Sequence, residues 1–326
     1  MKRGFFMNKK LLSGMIGLCL ATGTAFAAKG IKASISPAYN LKNGDFSEYV
    51  LHDDNVKYSE FHFEEKNLSS IGANLLIGYN FIELQGDFLW GIPKSSGNMY
   101  KSSWNYFNPD LKYKYLTYDN SLTSSFDLNA KLIFDIPLFA DLLHIRLFAN
   151  FNFSTYQFTA DNYYGSEGIS EKYSYDDRTE YTRTYTQGNS SDYNTFTREL
   201  YDVSAGLNLT LSLFNKLGLS LEGSVSPYTY SVVQNYHSLL GISYLDIFGN
   251  WLKKYSFGAA VEYSFTKFLS VKVYGNYSKL GLMTGKTYTS GSGNKNFTEE
   301  KDIFCGTEGR WFDAGLLITL KPFEIF

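Results

Sequence analysis

From Phe126 the chain alternates apolar and polar residues, with Phe126, Leu128, Ala130, Leu132 and Phe134 on one parity. Period-2 alternation sends successive side chains to opposite faces of a sheet. The same pattern recurs and predicts ten strands. The first opens at Ile31. The second runs over 58–79, alternating through Phe61 and Phe63 and again through Ala73, Leu75 and Ile77. Further strands are expected over 82–92, from 126, and over 143–158, 195–214, 217–232, 255–265, 269–282 and 311–323. Short turns separate some of them, near Asn80, over 135–141 with Pro137, at Asn215-Lys216 and at Thr266-Lys267. The other connections, 41–56, the polar aromatic stretch from Ser96, 161–194, 234–248 and 284–309, read as long loops. An even number of strands with short turns at one end and long loops at the other describes an antiparallel barrel.

Composition then says where such a barrel lives. Lys2, Arg3, Lys9 and Lys10 precede the apolar run Leu11 to Leu20, and Ala25-Phe26-Ala27 is a small-residue cleavage site. This is the pattern of a secretory signal peptide over 1–27, too short to span a membrane as a helix. Leu18 stands before Cys19 where a lipoprotein signal wants a small residue, so lipidation is not expected. Beyond it no apolar run reaches helix-spanning length, yet the chain carries 27 Tyr and 27 Phe and only 6 Pro. Exported, aromatic and alternating, residues 28–326 read as one all-β domain, a transmembrane antiparallel β-barrel of the bacterial outer membrane with aromatic girdles. Its loops face the outside and its turns the periplasm. Closure satisfies every strand edge that lipid could not. A ten-strand barrel is filled mostly by its own side chains, which disfavours a general porin.

Charge and motifs exclude several chemistries. The chain has 30 Lys+Arg against 32 Asp+Glu, and four of the basic residues lie in the signal. A net acidic domain does not suit nucleic acid. Cys305 is alone outside the signal, so no internal disulfide forms. The four histidines, His52, His62, His144 and His237, show no metal spacing, and neither a nucleophile elbow nor a phosphate-binding glycine loop occurs. No metal or cofactor is implied. The pairs Asp53-Asp54, Glu64-Glu65, Asp176-Asp177 and Glu299-Glu300 read as solvated loop acids.

An ordered set of short motifs resembles one family. Gly97-Asn98-Met99, Trp104, Asn108-Pro109, Phe126-Asp127-Leu128-Asn129 and Lys131 stand in the order and near the spacing of the omptins, ten-stranded outer-membrane endopeptidases. Ser154 to Phe158 and Ser231 to His237 add weaker agreement. The resemblance implies a water held between two second-loop carboxylates and an Asp–His pair in the fourth loop, with the histidine as general base. On this chain the two carboxylate positions fall at Lys101 and Ser103, and the pair falls at Asn235 and His237. Only the histidine remains. A lysine is a cation where an acid is required, and asparagine cannot stabilise an imidazolium. No Asp-x-Asp occurs from Gly97 to Trp104 to restore the pair by a shifted alignment.

The family also reads basic substrate residues with acids in its groove. Glu48 matches one such position and is equally an ordinary loop acid; the other falls at Val233. Asp110, Asp119 and Asp161 are further rim carboxylates. The expectation is therefore an omptin-like barrel that has lost or altered the family's proteolysis and presents a loop-lined groove for binding. The alternatives are an active surface endopeptidase cutting near basic residues, and a small-solute porin. Expected partners are membrane lipid, extracellular proteins or peptides and, by the resemblance, lipopolysaccharide, for which Arg183, Arg198, Lys253 and Lys254 are the candidate bases. A monomer is expected.

Overall fold

The computed structural model describes residues 31–52, 57–104, 112–139, 142–168, 183–187, 194–214, 216–237, 241–291 and 296–324. The expected signal segment and Asp110 lie outside them. Twelve strands run through the described residues: β1 (Ile31–His52), β2 (Lys57–Tyr79), β3 (Ile82–Gly91), β4 (Lys94–Trp104), β5 (Lys112–Leu138), β6 (Leu143–Gly168), β7 (Arg183–Gln187), β8 (Asn194–Leu213), β9 (Leu217–His237), β10 (Ile242–Ser264), β11 (Leu269–Ser290) and β12 (Thr298–Glu324). All pairings are antiparallel, and β1 pairs with β12 to close the ring. β3 and β4 both lie between β2 and β5 and form one side of the ring, interrupted at Ile92-Pro93. β7 pairs with β6. Ten strands therefore surround the barrel.

The strands are longer than the alternation predicts. The expected loops over 41–56, from Ser96 and over 234–248 and 284–309 are largely strand, since β1 reaches His52, β4 carries Lys94–Trp104 and β9 reaches His237. The physical reason is a reversal of which face is apolar. In the lower half apolar side chains point outward, as Ile77, Leu84, Leu207, Leu221, Val261 and Ile318 do, and the interior is polar. In the upper half the outside is polar and the apolar side chains turn inward.

β2 shows how one strand achieves both. Ile71 is 54% exposed on the outside while Phe63, at the same parity, is 0% exposed inside. Between them Asn67 adopts a left-handed φ of 54°, which asparagine tolerates better than most residues. The pairing with β1 slips there, between Lys42 and Gly44. One inserted residue moves every following side chain to the other face. Comparable slips occur in β5 near Leu122/Ser124, where β9 meets β8 at Val203/Ala205, in β10 at Trp251/Lys254 and in β11 at Leu280/Met283.

Two interiors result. The lower one is a polar cavity of about 330 Å³, lined among others by Asn129, Lys131, Asn150, Asn152, Glu222 and Lys272. Ion pairs cross it, Lys131 to Glu222 at 2.7 Å and Lys254 to Asp202 among them. Arg146 with Glu83 and His144 with Asp135 gather at its foot. The upper interior is an aromatic core of Phe46, Phe61, Phe63, Tyr156, Phe158, Phe196, Phe248 and Trp311. Phe46 stacks on Phe63 with centroids 4.4 Å apart, and Phe196 meets Phe63 edge-on at 4.4 Å. Offset and edge contacts of this kind contribute about 0.5–1.5 kcal/mol each beyond burial.

Candidate functional site

The four positions singled out by the family resemblance all face the upper interior. Lys101 and Ser103 lie on β4, and pairing with β2 sets Phe61 opposite Lys101 and Ser59 opposite Ser103. Asn235 and His237 lie at the upper end of β9, where β8 places Phe196 opposite Asn235 and Asn194 opposite His237. Sequence order gives no hint of the residue that joins the two sides. It is Phe61. Its ring centroid is 5.0 Å from Lys101 Nζ and 5.8 Å from the His237 ring, which it meets edge-on. Phe196 packs on the same ring at 5.7 Å and Tyr244 on His237 at 5.4 Å. Ser59 Oγ donates to the Ser102 carbonyl at 3.1 Å and lies 3.5 Å from Ser103 Oγ.

The electrostatics of this arrangement oppose base catalysis. His237 is 7% exposed. Burial, reinforced by the charge of Lys101, pulls its pKa down to about 3. A general base works best with a pKa near the operating pH, and an imidazole this weak binds a proton poorly in any transition state. Asn235 offers no charge to counter this, and its Oδ1 is buried without a hydrogen-bond partner.

Glu48 does not lie in an open groove. It sits on β1, 4% exposed, and burial followed by repulsion from Asp246 raises its pKa to about 8 despite the opposing influence of Arg198. Val233, at the second acidic position, is in the core. Asp119 and Asp161 do come together, opposite one another in the β5–β6 pair, with Asn162 Nδ2 donating to both at 3.3 and 3.4 Å. Burial and the charge of Asp119 push the Asp161 carboxyl above its ordinary value. The pair belongs to β5 and β6, whereas His237 belongs to β9.

Two of the four candidate lipid-facing bases are corrected by the structure. Arg198 is buried, donating through Nη2 to Glu65 Oε1 at 2.8 Å, with its guanidinium 3.9 Å from the Phe46 centroid. Lys254 points into the lower cavity toward Asp202. Strand phase decides this, and the β10 bulge next to Lys254 hides that phase from the sequence. Lys253 is half-exposed beside it, and the side chain of Arg183 lies outside the described residues.

No protein-family model matches the chain, and no curated protein does. Solved structures do. The outer membrane protease OmpT from Escherichia coli aligns over 92% of this chain and 99% of its own, with a TM-score of 0.77 at 16% identity. The protein is a bacterial outer-membrane β-barrel. Its fold is omptin-like: at this identity the likeness carries the architecture alone. The P. putida toluene transporter TodX (7% identity, 89% and 90% of the two chains, TM-score 0.33) and Neisserial surface protein A (9% identity, 90% and 99%, TM-score 0.27) are far less similar. The outward apolar band of the lower half is thus the lipid-facing surface, and the aromatic upper half with its site stands on the extracellular side. The four positions the sequence resemblance pointed to are surrounded by core side chains.

Proposed function

We propose that this outer-membrane barrel is a surface-binding protein without omptin-type proteolysis. It is exported by the signal over 1–27, and it meets extracellular proteins or peptides through the ends of its tall hairpins. The observation that supports this reading is the Phe61 ring packed against both Lys101 and His237. An aromatic ring and a cation stand where attack on a peptide would need a water and negative charge. Lys101, Ser103 and Asn235 provide no carboxylate to hold that water or to stabilise a tetrahedral intermediate. The tyrosine- and serine-rich stretch over 161–194 suits recognition, since such side chains give amphipathic contact area and adaptable hydrogen bonds. Lipopolysaccharide is the lipid partner expected alongside it, with Lys253 as the half-exposed base at the β10 bulge.

The test is cleavage of a quenched fluorescent peptide containing an Arg-Arg or Arg-Lys bond. The barrel is refolded in detergent with lipopolysaccharide, beside a His237→Ala control. Equal background rates are expected for both proteins. Turnover present in the natural chain and abolished in His237→Ala overturns the reading in favour of a surface endopeptidase.

A further inference from the structure

The upper barrel holds two acids that this reading leaves unused. Glu48 on β1 has a buried Oε1 with no hydrogen-bond partner, and Asp246 on β10 has a buried Oδ1 in the same condition. Asp246 stands opposite Thr287 on β11 and Val233 on β9. Glu48 stands opposite Thr307 on β12, two residues from the pairing of Val50 with Cys305. The hydroxyl of Thr287 and the thiol of Cys305 both hydrogen-bond Asp246, and the Glu48 and Asp246 carboxyls repel one another. Two strands separated in the ring by β11 and β12 therefore turn buried carboxyl groups toward the same part of the upper interior.

The surroundings do not accommodate two negative charges. Phe248, Val233 and Met283 belong to the core there, and a buried carboxylate with one oxygen left without a donor is costly. The titratable or charged groups facing the pair are Arg198 from β8, Tyr244 from β10 and Cys305 from β12. β9 and β11 contribute the uncharged Val233 and Thr287. Arg198 pairs with Glu65 through Nη2 and makes no hydrogen bond to either carboxyl, its Nε and Nη1 being buried without partners, and the Cys305 thiol is pushed well above its ordinary range by burial and Asp246. Among the described residues no three His, Cys, Asp or Glu side chains gather to hold a metal ion. A proton on one of the two carboxyls lowers that cost.

We propose that Glu48 and Asp246 hold one proton between them at neutral pH, and that its release loosens the extracellular half of the barrel. Burial raises Asp246 to about 6, while burial and the Asp246 charge raise Glu48 to about 8. An unfolded glutamate ionises near 4.5. Between these values the folded chain keeps a proton that the unfolded chain has lost. Stability is then complete at low pH, falls as pH rises, and levels off above the folded pKa. Each proton bound on folding changes the unfolding constant on the order of tenfold per pH unit.

The experiment is urea unfolding of the full chain refolded in detergent, followed by tryptophan fluorescence between pH 6 and about 8.8, below the range in which the Cys305 thiol ionises in the unfolded chain. For the natural chain the unfolding constant is expected to rise on the order of tenfold per pH unit up to about pH 8 and then flatten. Glu48→Gln keeps the shape and removes the proton, so that rise should vanish; a rise equal to the natural chain's overturns the proposal. Asp246→Asn removes the repulsion and should move the levelling point to lower pH. Should Glu48→Gln fail to refold, an unmoved levelling point in Asp246→Asn overturns the proposal on its own.

Discussion

His237 is the residue where position and chemistry part. The ordered motifs singled it out within an expected loop over 234–248, whereas the structure carries β9 through to it, and its environment was not legible at all. Tyr244 reaches it from the neighbouring strand β10, while the Phe61 ring and Lys101 reach it across the barrel interior from β2 and β4, and no local pattern on β9 announces them. Burial and Lys101 hold its folded pKa at about 3, below the ordinary 6.5. The unfolded chain binds this proton more readily, so the stability contributed is present above pH 6.5 and lost as pH falls toward 3. Replacing His237 by Gln removes the group. Measured against the natural chain at each pH, the variant's stability in urea should gain as pH falls from 7 to 4. Parallel curves would show that His237 is solvated and ordinary.

At the scale of strands, the sequence announced alternation but concealed its phase. Phe61 and Phe63 share parity with Ile71 and Ile77, yet the bulge at Asn67 sends the two groups to opposite faces. Without the pairing partner a bulge looks like any polar residue, which is why polar stretches read as loops and Arg198 and Lys254 as surface bases. Arg198 and Glu65 show what an inward phase demands. Their ion pair, 5% and 0% exposed at the side chains, sits against Phe46. Removing one partner of such a pair leaves a buried charge and costs about 3–5 kcal/mol, whereas replacing both by apolar groups of similar volume is often neutral. Glu65→Gln should therefore lower stability by roughly that amount. The double variant Glu65→Leu with Arg198→Met should recover most of the loss in the same urea titration. Additive losses would place the pair in solvent.

The whole molecule combines two barrels with opposite insides. The lipid-spanning half is polar within and apolar without, and its ring of ten strands was legible because period-2 patterning carries it directly. The extracellular half is apolar within, and its tall hairpins were not legible, because loops and outward-polar strands share a composition. This upper interior is packed core rather than an open groove. Cys305 is 1% exposed inside it and is the only cysteine outside residues 1–27. The direct measurement is the rate at which a water-soluble maleimide labels Cys305 in the folded barrel, made without residues 1–27, at neutral pH. With a packed interior, labelling is expected to be slower than in the urea-unfolded chain by several orders of magnitude. Labelling of the folded barrel at the unfolded rate would show that the upper interior is open to water and contradict that packing.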